Sequence, residues 1–217
     1  MALEGTHIRF ALDVKDILEV KNVGAYLAGS VYPDSRLVTH TARTLTHDPS
    51  FLERSFYEHD DFKKGWMTHV LFDRIQYKAI LKTFSTSFTA YDVQSFDENW
   101  VTLTAIKHLQ DIHDIGQVDI RSFLPASADI IIPNAEKIED LEKYYGCVTE
   151  LYSNRYPSME NYQMMCVTLF GNSEIFETIR TRADQLLADP SVMQKISGLY
   201  AEILETCLNC LKKETVT

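Results

Sequence analysis

The last hundred or so residues of this chain contain no histidine: all seven lie between positions 7 and 113. Any histidine-based chemistry therefore belongs to the N-terminal half. Glycine and proline are also sparse, eight and six in 217 residues, and they never gather into a flexible linker. No internal repeat or low-complexity stretch is present. One domain spanning 1–217 is the expectation. Cysteine is too scarce for a disulfide framework of the small secreted kind: Cys147, Cys166, Cys207 and Cys210 are the only four. Cys207 and Cys210 have Cys-x-x-Cys spacing. They lack the second pair of a zinc knuckle and the preceding strand of a thioredoxin-like motif, and read as ordinary helix residues. No apolar run is long enough to span a bilayer. The start, Met-Ala-Leu-Glu-Gly-Thr-His, has no basic stretch followed by an apolar one, so the cytoplasm is the expected location. A surplus of basic charge is missing too. The formal net charge is −10, which argues against duplex nucleic acid and anionic membranes as partners. A local basic rim around a pocket remains compatible with it, as does a homo-oligomer.

What is present is helical periodicity almost from end to end. The chain reads as an all-α, multi-helix bundle of about seven to nine helices. A first helix is expected over 8–20 and a short second over 23–27, ending at Gly29-Ser30, with Val31 to Ser35 as a turn or loop. Asp48-Pro49-Ser50 starts a helix. A central helix spans 61–84 and is broken by Ser85-Thr86-Ser87. The next runs from Asp97 to Ile115, stopped by Gly116. Asn134 caps a helix reaching Tyr152. Others cover 159–170, 173–188 and 189–211. Only 129–132 has any strand character. Residues 1–116 form the half that carries the site. Residues 117–217 are supporting helices whose charged residues, Glu136 to Lys143, form a solvated face.

Within the central helix, His69 and Asp73 stand four apart and so share one face. Met67, Val70, Leu71, Phe72, Ile75, Ile80, Leu81 and Phe84 surround them with apolar groups. A helix apolar on all sides is buried, and histidine and aspartate are costly there unless paired or ligating. Gly65, one turn earlier, is read as leaving space above the imidazole. An imidazole and a carboxylate side by side suit a metal. The plainer reading is a core histidine hydrogen-bonded to an aspartate.

Other ligand-type residues precede this pair in suggestive contexts: Thr6-His7 at the start of the first helix, Pro33-Asp34 on a tight turn, then His40, and His47 in Thr46-His47-Asp48-Pro49. Their order, closing on Gly65-x-x-x-His69-x-x-x-Asp73, resembles the zinc-dependent phospholipase C family. That family has an all-α fold shared with the fungal zinc nucleases. The resemblance covers about residues 6–85. It implies one metal site built by Asp34, His47 (or His40), His69 and Asp73, with His7 serving a second ion bridged by Asp73. Between Asp73 and His108 there is no further histidine, and Lys107-His108 to His113-Asp114 does not have the spacing of the family's later pair. One or two divalent ions, zinc first among them, are therefore expected rather than three.

The chemistry implied is hydrolysis of a phosphate ester in a small phosphorylated substrate, by water whose pKa the metal lowers. Asp34 or Asp73 would orient that water and His113 or His108 would protonate the leaving oxygen. Arg36 or Arg74 would neutralise phosphate charge. Two rival readings stand beside it. One is an HD-type metal phosphohydrolase using His40, His59-Asp60 and Asp111 or Asp114. The other is a non-catalytic helical interaction module whose polar core residues pair with one another.

Overall fold

The computed structural model describes residues 3–84, 98–124, 130–154, 156–171 and 173–214. The expected break at Ser85-Thr86-Ser87 lies outside them, as do Asp97 and Asp129. Residues 130–132 form no strand, and every regular element among the described residues is helical. In chain order these are α1 (Glu4–Val14), α2 (Val23–Val31), α3 (Arg36–Thr39), α4 (Arg43–Thr46), α5 (Asp61–Phe84), α6 (Glu98–Gln117), α7 (Ile138–Tyr152), α8 (Met159–Phe170), α9 (Glu174–Leu187) and α10 (Pro190–Glu214). Short 3-10 turns at Tyr32–Ser35, Pro49–Glu53, Phe56–Glu58 and Arg121–Phe123 join some of them.

The organising element is α5. Its residues from Lys64 to Phe72 are all buried, and from Asp73 onward exposed positions return at Arg74 and Lys78. The helix is thus buried all round only in its first half and amphipathic afterwards. Met67 and Phe72 are fully buried, each contributing roughly 2–3 kcal/mol by leaving water. On one side α5 packs against α2, on another against α10; α6 lies between α1, α9 and α10, and α7 pairs with α8.

The α2–α5 crossing is unusually close, and two glycines permit it. A Cβ on Gly29 would stand 1.9 Å from the Phe62 carbonyl oxygen, and one on Gly65 would stand 1.9 Å from that of Tyr26. Gly65 therefore does not leave open space over His69; the backbone of α2 fills that space. This also explains why α2 runs through Gly29-Ser30 to Val31 rather than stopping there. Gly29 serves the crossing, and the chain continues into a buried 3-10 turn with Pro33 in its first positions.

Other boundaries shifted for identifiable reasons. α1 begins at Glu4 and ends at Val14, where a run of turns ends on Glu19 in the left-handed region (φ 52°). Asp48 accepts from the Ser50 amide and opens a 3-10 turn rather than an α-helix. Asp60 accepts from the Lys63 amide and Asp61 from the amides of Lys21 and Asn22, so this acidic pair starts α5 and ties down the start of α2. Asn134 does not cap α7, which begins at Ile138 after Lys137. Its amide donates to the Tyr32 hydroxyl at 2.7 Å. Glu136, expected on the solvated face, accepts from that hydroxyl, from Thr41 and from the Asn134 amide. The segment before α7 is thereby clamped over the turn that carries Asp34. From α7, the Tyr145 hydroxyl donates to the Ala28 carbonyl at 3.0 Å, and that of Tyr144 lies 2.8 Å from the Val31 carbonyl. The supporting half thus holds the C-terminal end of α2 in place.

Candidate metal centre

Five of the six residues singled out as metal ligands converge. His69 and Asp73 come from α5, Asp34 from the turn after α2, His47 from the end of α4 and His7 from α1. His7, Asp34 and His69 form one group with ligand atoms within 4.8 Å of one another, and His47, His69 and Asp73 form a second. His40 is apart from both. It ends α3 in the left-handed region (φ 55°) and is exposed, so the choice between His40 and His47 falls on His47. His113 pairs at 3.3 Å with Asp114 on α6, half-buried and outside the cluster.

The backbone fixes the His69 imidazole. His69 Nδ1 lies 2.8 Å from the Ser30 carbonyl oxygen, which can only accept, so Nδ1 carries the proton and Nε2 presents a lone pair. The close α2–α5 crossing brings that carbonyl within reach. His47 Nδ1 is 2.9 Å from the Thr46 hydroxyl, which itself lies 3.4 Å from the Arg43 carbonyl. That hydroxyl can donate to the carbonyl or to Nδ1: in the second case His47 Nε2–H faces Asp34 and His69, and in the first Nε2 offers the lone pair that a metal needs. Trp66 of α5 donates to the Thr46 carbonyl at 2.6 Å and pins the short α4 to the central helix.

His47 Nε2 and His69 Nε2 are 3.3 Å apart. His47 Nε2 is 3.5 Å from Asp34 Oδ1 and 3.7 Å from Asp73 Oδ2. His69 Nε2 is 3.9 Å from Asp34 Oδ2 and 3.8 Å from Asp73 Oδ2. Ligand atoms bound tetrahedrally at about 2.0–2.2 Å stand about 3.3–3.6 Å from one another. The observed spacings fall on or just above that range. The tightest set, His47, His69 and Asp73, offers two nitrogens and a carboxylate, with the Asp34 carboxylate against both imidazoles, and this donor chemistry fits zinc. His7 stacks on the His69 ring, centroids 3.8 Å apart and 13° from parallel, with Nε2 3.7 Å from Asp73 Oδ1. Its Nδ1 is buried without a protein partner.

The protonation states suit ligation. Burial would raise Asp34, but the hydrogen bond from His47 and the charges of His69 and His47 outweigh it and hold the carboxyl well below its ordinary range. Burial works against Asp73 in the same way and loses to Lys107, His69 and His7. Burial, with His69 next in size, pushes His7 well down, and burial pulls His47 down to about 4. At neutral pH these two carboxylates are ionised and these two imidazoles neutral, the forms that bind metals.

The centre is not sealed. A pocket of about 420 Å³ opens onto His47 and Asp73. Arg43, Arg74 and Lys107 bring three cations to its wall, in a chain whose net charge is −10. Lys107 comes from α6, is 4% exposed, and places Nζ 3.0 Å from Asp73 Oδ1. Arg74 was legible as a phosphate partner; Arg43 and Lys107 were not. Lys107 did leave a signal: it lies on the buried stripe of α6 with Leu103 and Asp114, as His69 does on α5. Arg36 does not line this pocket, and neither does His113.

A second polar cluster supports the first. Asp111 accepts from the Thr6 amide (2.6 Å) and hydroxyl (2.8 Å), the Tyr152 hydroxyl (2.8 Å) and the Tyr162 hydroxyl (2.6 Å). Asp114 receives Arg9 at 3.2 Å. These bonds anchor the first turn of α1, and so the placement of His7. They also occupy the aspartates that an HD-type site would need, while His59 and Asp60 lie at the entry to α5. Comparison with family models, with curated proteins and with solved structures gives no match to this chain.

Proposed function

We propose that this chain is a metal-dependent hydrolase of phosphate esters. The observation that carries the reading is the convergence of His47, His69 and Asp73, with Asp34 against both imidazoles, where His47 and Asp73 open onto a pocket walled by Arg43, Arg74 and Lys107. When bound there, a divalent ion, zinc by this donor set, supplies a nucleophilic water at neutral pH and polarises a phosphoryl oxygen. The chain's own residues do the rest. Asp34, buried 3.5 Å from His47 Nε2, would contribute its carboxylate beside that ring. Asp73 is 14% exposed at the side chain and faces the pocket, which places it to orient a water. Arg43 and Arg74 offer planar, fixed cations to phosphoryl oxygens. His113 does not line the pocket, so the protonation of a leaving oxygen passes to a group that does, Lys107 or Tyr77.

The pocket volume favours a small phosphorylated molecule, and the net charge of −10 disfavours a polyanion. Among the described residues, no helix is long and apolar enough to cross a membrane. The rival is the helical interaction module whose polar core residues serve only one another. Metal analysis of the purified protein combined with a panel of phosphomonoesters and phosphodiesters separates the two. The proposal expects bound zinc and metal-dependent hydrolysis of at least one ester class, both lost in His69→Ala and Asp73→Asn. Activity surviving both substitutions, or protein that takes up no divalent metal, would overturn it.

A further inference from the structure

The sequence left open whether the centre holds one ion or two, and Lys107 decides between them. In a two-ion arrangement, Asp73 would bridge, giving Oδ2 to the ion shared with His47 and His69, and Oδ1 to a second ion held by His7. The structure puts a different cation at Oδ1. The Lys107 ammonium lies 3.0 Å from that oxygen, while His7 Nε2 approaches the same oxygen to 3.7 Å. Lys107 is 4% exposed on the buried stripe of α6, and Asp73 is the carboxylate it meets there at 3.0 Å.

We propose that the centre is a mononuclear metal–lysine site, in which the Lys107 ammonium occupies the position of a second metal ion. This rests on the metal reading given above. Two facts favour it independently of resemblance to any family. The ammonium already holds Asp73 Oδ1 at 3.0 Å, and a second divalent ion brought to that oxygen would be repelled by it in a buried site. The local charge also argues for one ion. Asp34 and Asp73 bring two negative charges and Lys107 returns one, so a single dication already leaves the cluster positive. His7 is then not a ligand of the first ion. It stacks on His69 and fills the wall beside the lysine. Chemically, a fixed ammonium beside the metal adds a second electrophile toward a phosphoryl oxygen, and it can give a proton to a leaving oxygen, which a second metal cannot.

The test is zinc stoichiometry on the full chain in chelator-buffered zinc, read by elemental analysis and calorimetry. Wild type should bind one equivalent tightly. Lys107→Met keeps the volume and removes the charge. It should retain the first equivalent and gain a second that binds at least about tenfold more tightly than any second equivalent on wild type. Lys107→Arg, which keeps the charge, should stay at one. Adding His7→Ala to Lys107→Met should abolish the second equivalent, placing it at Asp73 Oδ1 rather than on a surface thiol. Circular dichroism melting of each variant confirms that it is folded. Two tight equivalents on wild type would overturn this inference while leaving the metal reading intact. So would Lys107→Met held at one equivalent, or a second equivalent indifferent to His7→Ala. No bound zinc on wild type would overturn both.

Discussion

Replacing Gly65 by alanine tests how the fold builds the site, because two effects of opposite sign compete at that position. In a helix interior the change from glycine to alanine ordinarily stabilises by about 0.5–1 kcal/mol. Here the new methyl would lie 1.9 Å from the Tyr26 carbonyl oxygen, 2.8 Å from the Ser30 nitrogen and 2.9 Å from the Tyr26 carbonyl carbon, all backbone atoms that no rotamer can move aside. Restoring an ordinary contact requires α2 to withdraw by about 1.5 Å. Overpacking of that size costs about 1–3 kcal/mol. The same withdrawal stretches the Ser30 carbonyl away from His69 Nδ1, now at 2.8 Å, and leaving that buried donor unsatisfied costs about 1–3 kcal/mol more. The net expectation is destabilisation by about 1–5 kcal/mol, together with weakened zinc binding because Asp34 rides on the end of α2. Gly146 supplies the control: it is mid-helix in α7, and a Cβ there meets nothing within 4 Å. Gly146→Ala should stabilise by about 0.5–1 kcal/mol. Urea unfolding followed by circular dichroism measures both. If Gly65→Ala were neutral or stabilising like its control, the close crossing and the positioning argument built on it would be refuted.

Three further outcomes are expected. Glu4 is 1% exposed, and burial, followed by the charge of Asp34, raises its pKa from 4.5 to about 8. A raised folded-state pKa contributes stability at low pH that is lost as pH climbs toward about 8. Wild type should therefore lose about 2–3 kcal/mol more than Glu4→Gln between pH 6 and pH 8 in urea unfolding, and equal losses would remove the argument. Asp111→Ala removes the buried acceptor shared by Thr6 and the hydroxyls of Tyr152 and Tyr162, and should cost about 2–4 kcal/mol; a melting temperature unchanged from wild type would show that the cluster does not anchor α1. Arg43→Ala and Arg74→Ala should each weaken inhibition by inorganic phosphate about tenfold with zinc content unchanged. Unaltered inhibition in both would deny the pocket wall its role.

The central helix and the ligand order could be read in the sequence because each leaves a local mark. A run of apolar residues interrupted by His69 and Asp73 is conspicuous, and helical spacing alone puts those two on one face. The continuous burial of Lys64 to Phe72 matches that reading. What escaped depends on long-range packing. Gly65 looked like space beside a ligand; it is the point where one backbone touches another, and nothing in the local sequence separates the two. Asn134 and Glu136 had the look of a cap and a solvated face, and became a clamp because Tyr32 meets them from about a hundred positions away. Lys107 was passed over beside the more obvious His108. Yet His108 is buried away from the pocket, its ring bonded at Nδ1 to the Thr104 carbonyl. His113 was attractive by residue type alone, and the helical turn faces it toward Asp114.

The most direct test of the account is anomalous diffraction at the zinc edge from crystals grown with zinc. The account predicts one strong peak bonded to His47 Nε2, His69 Nε2, Asp34 and Asp73, with Lys107 Nζ still on Asp73 Oδ1. No peak at that site from crystals grown at millimolar zinc would contradict it.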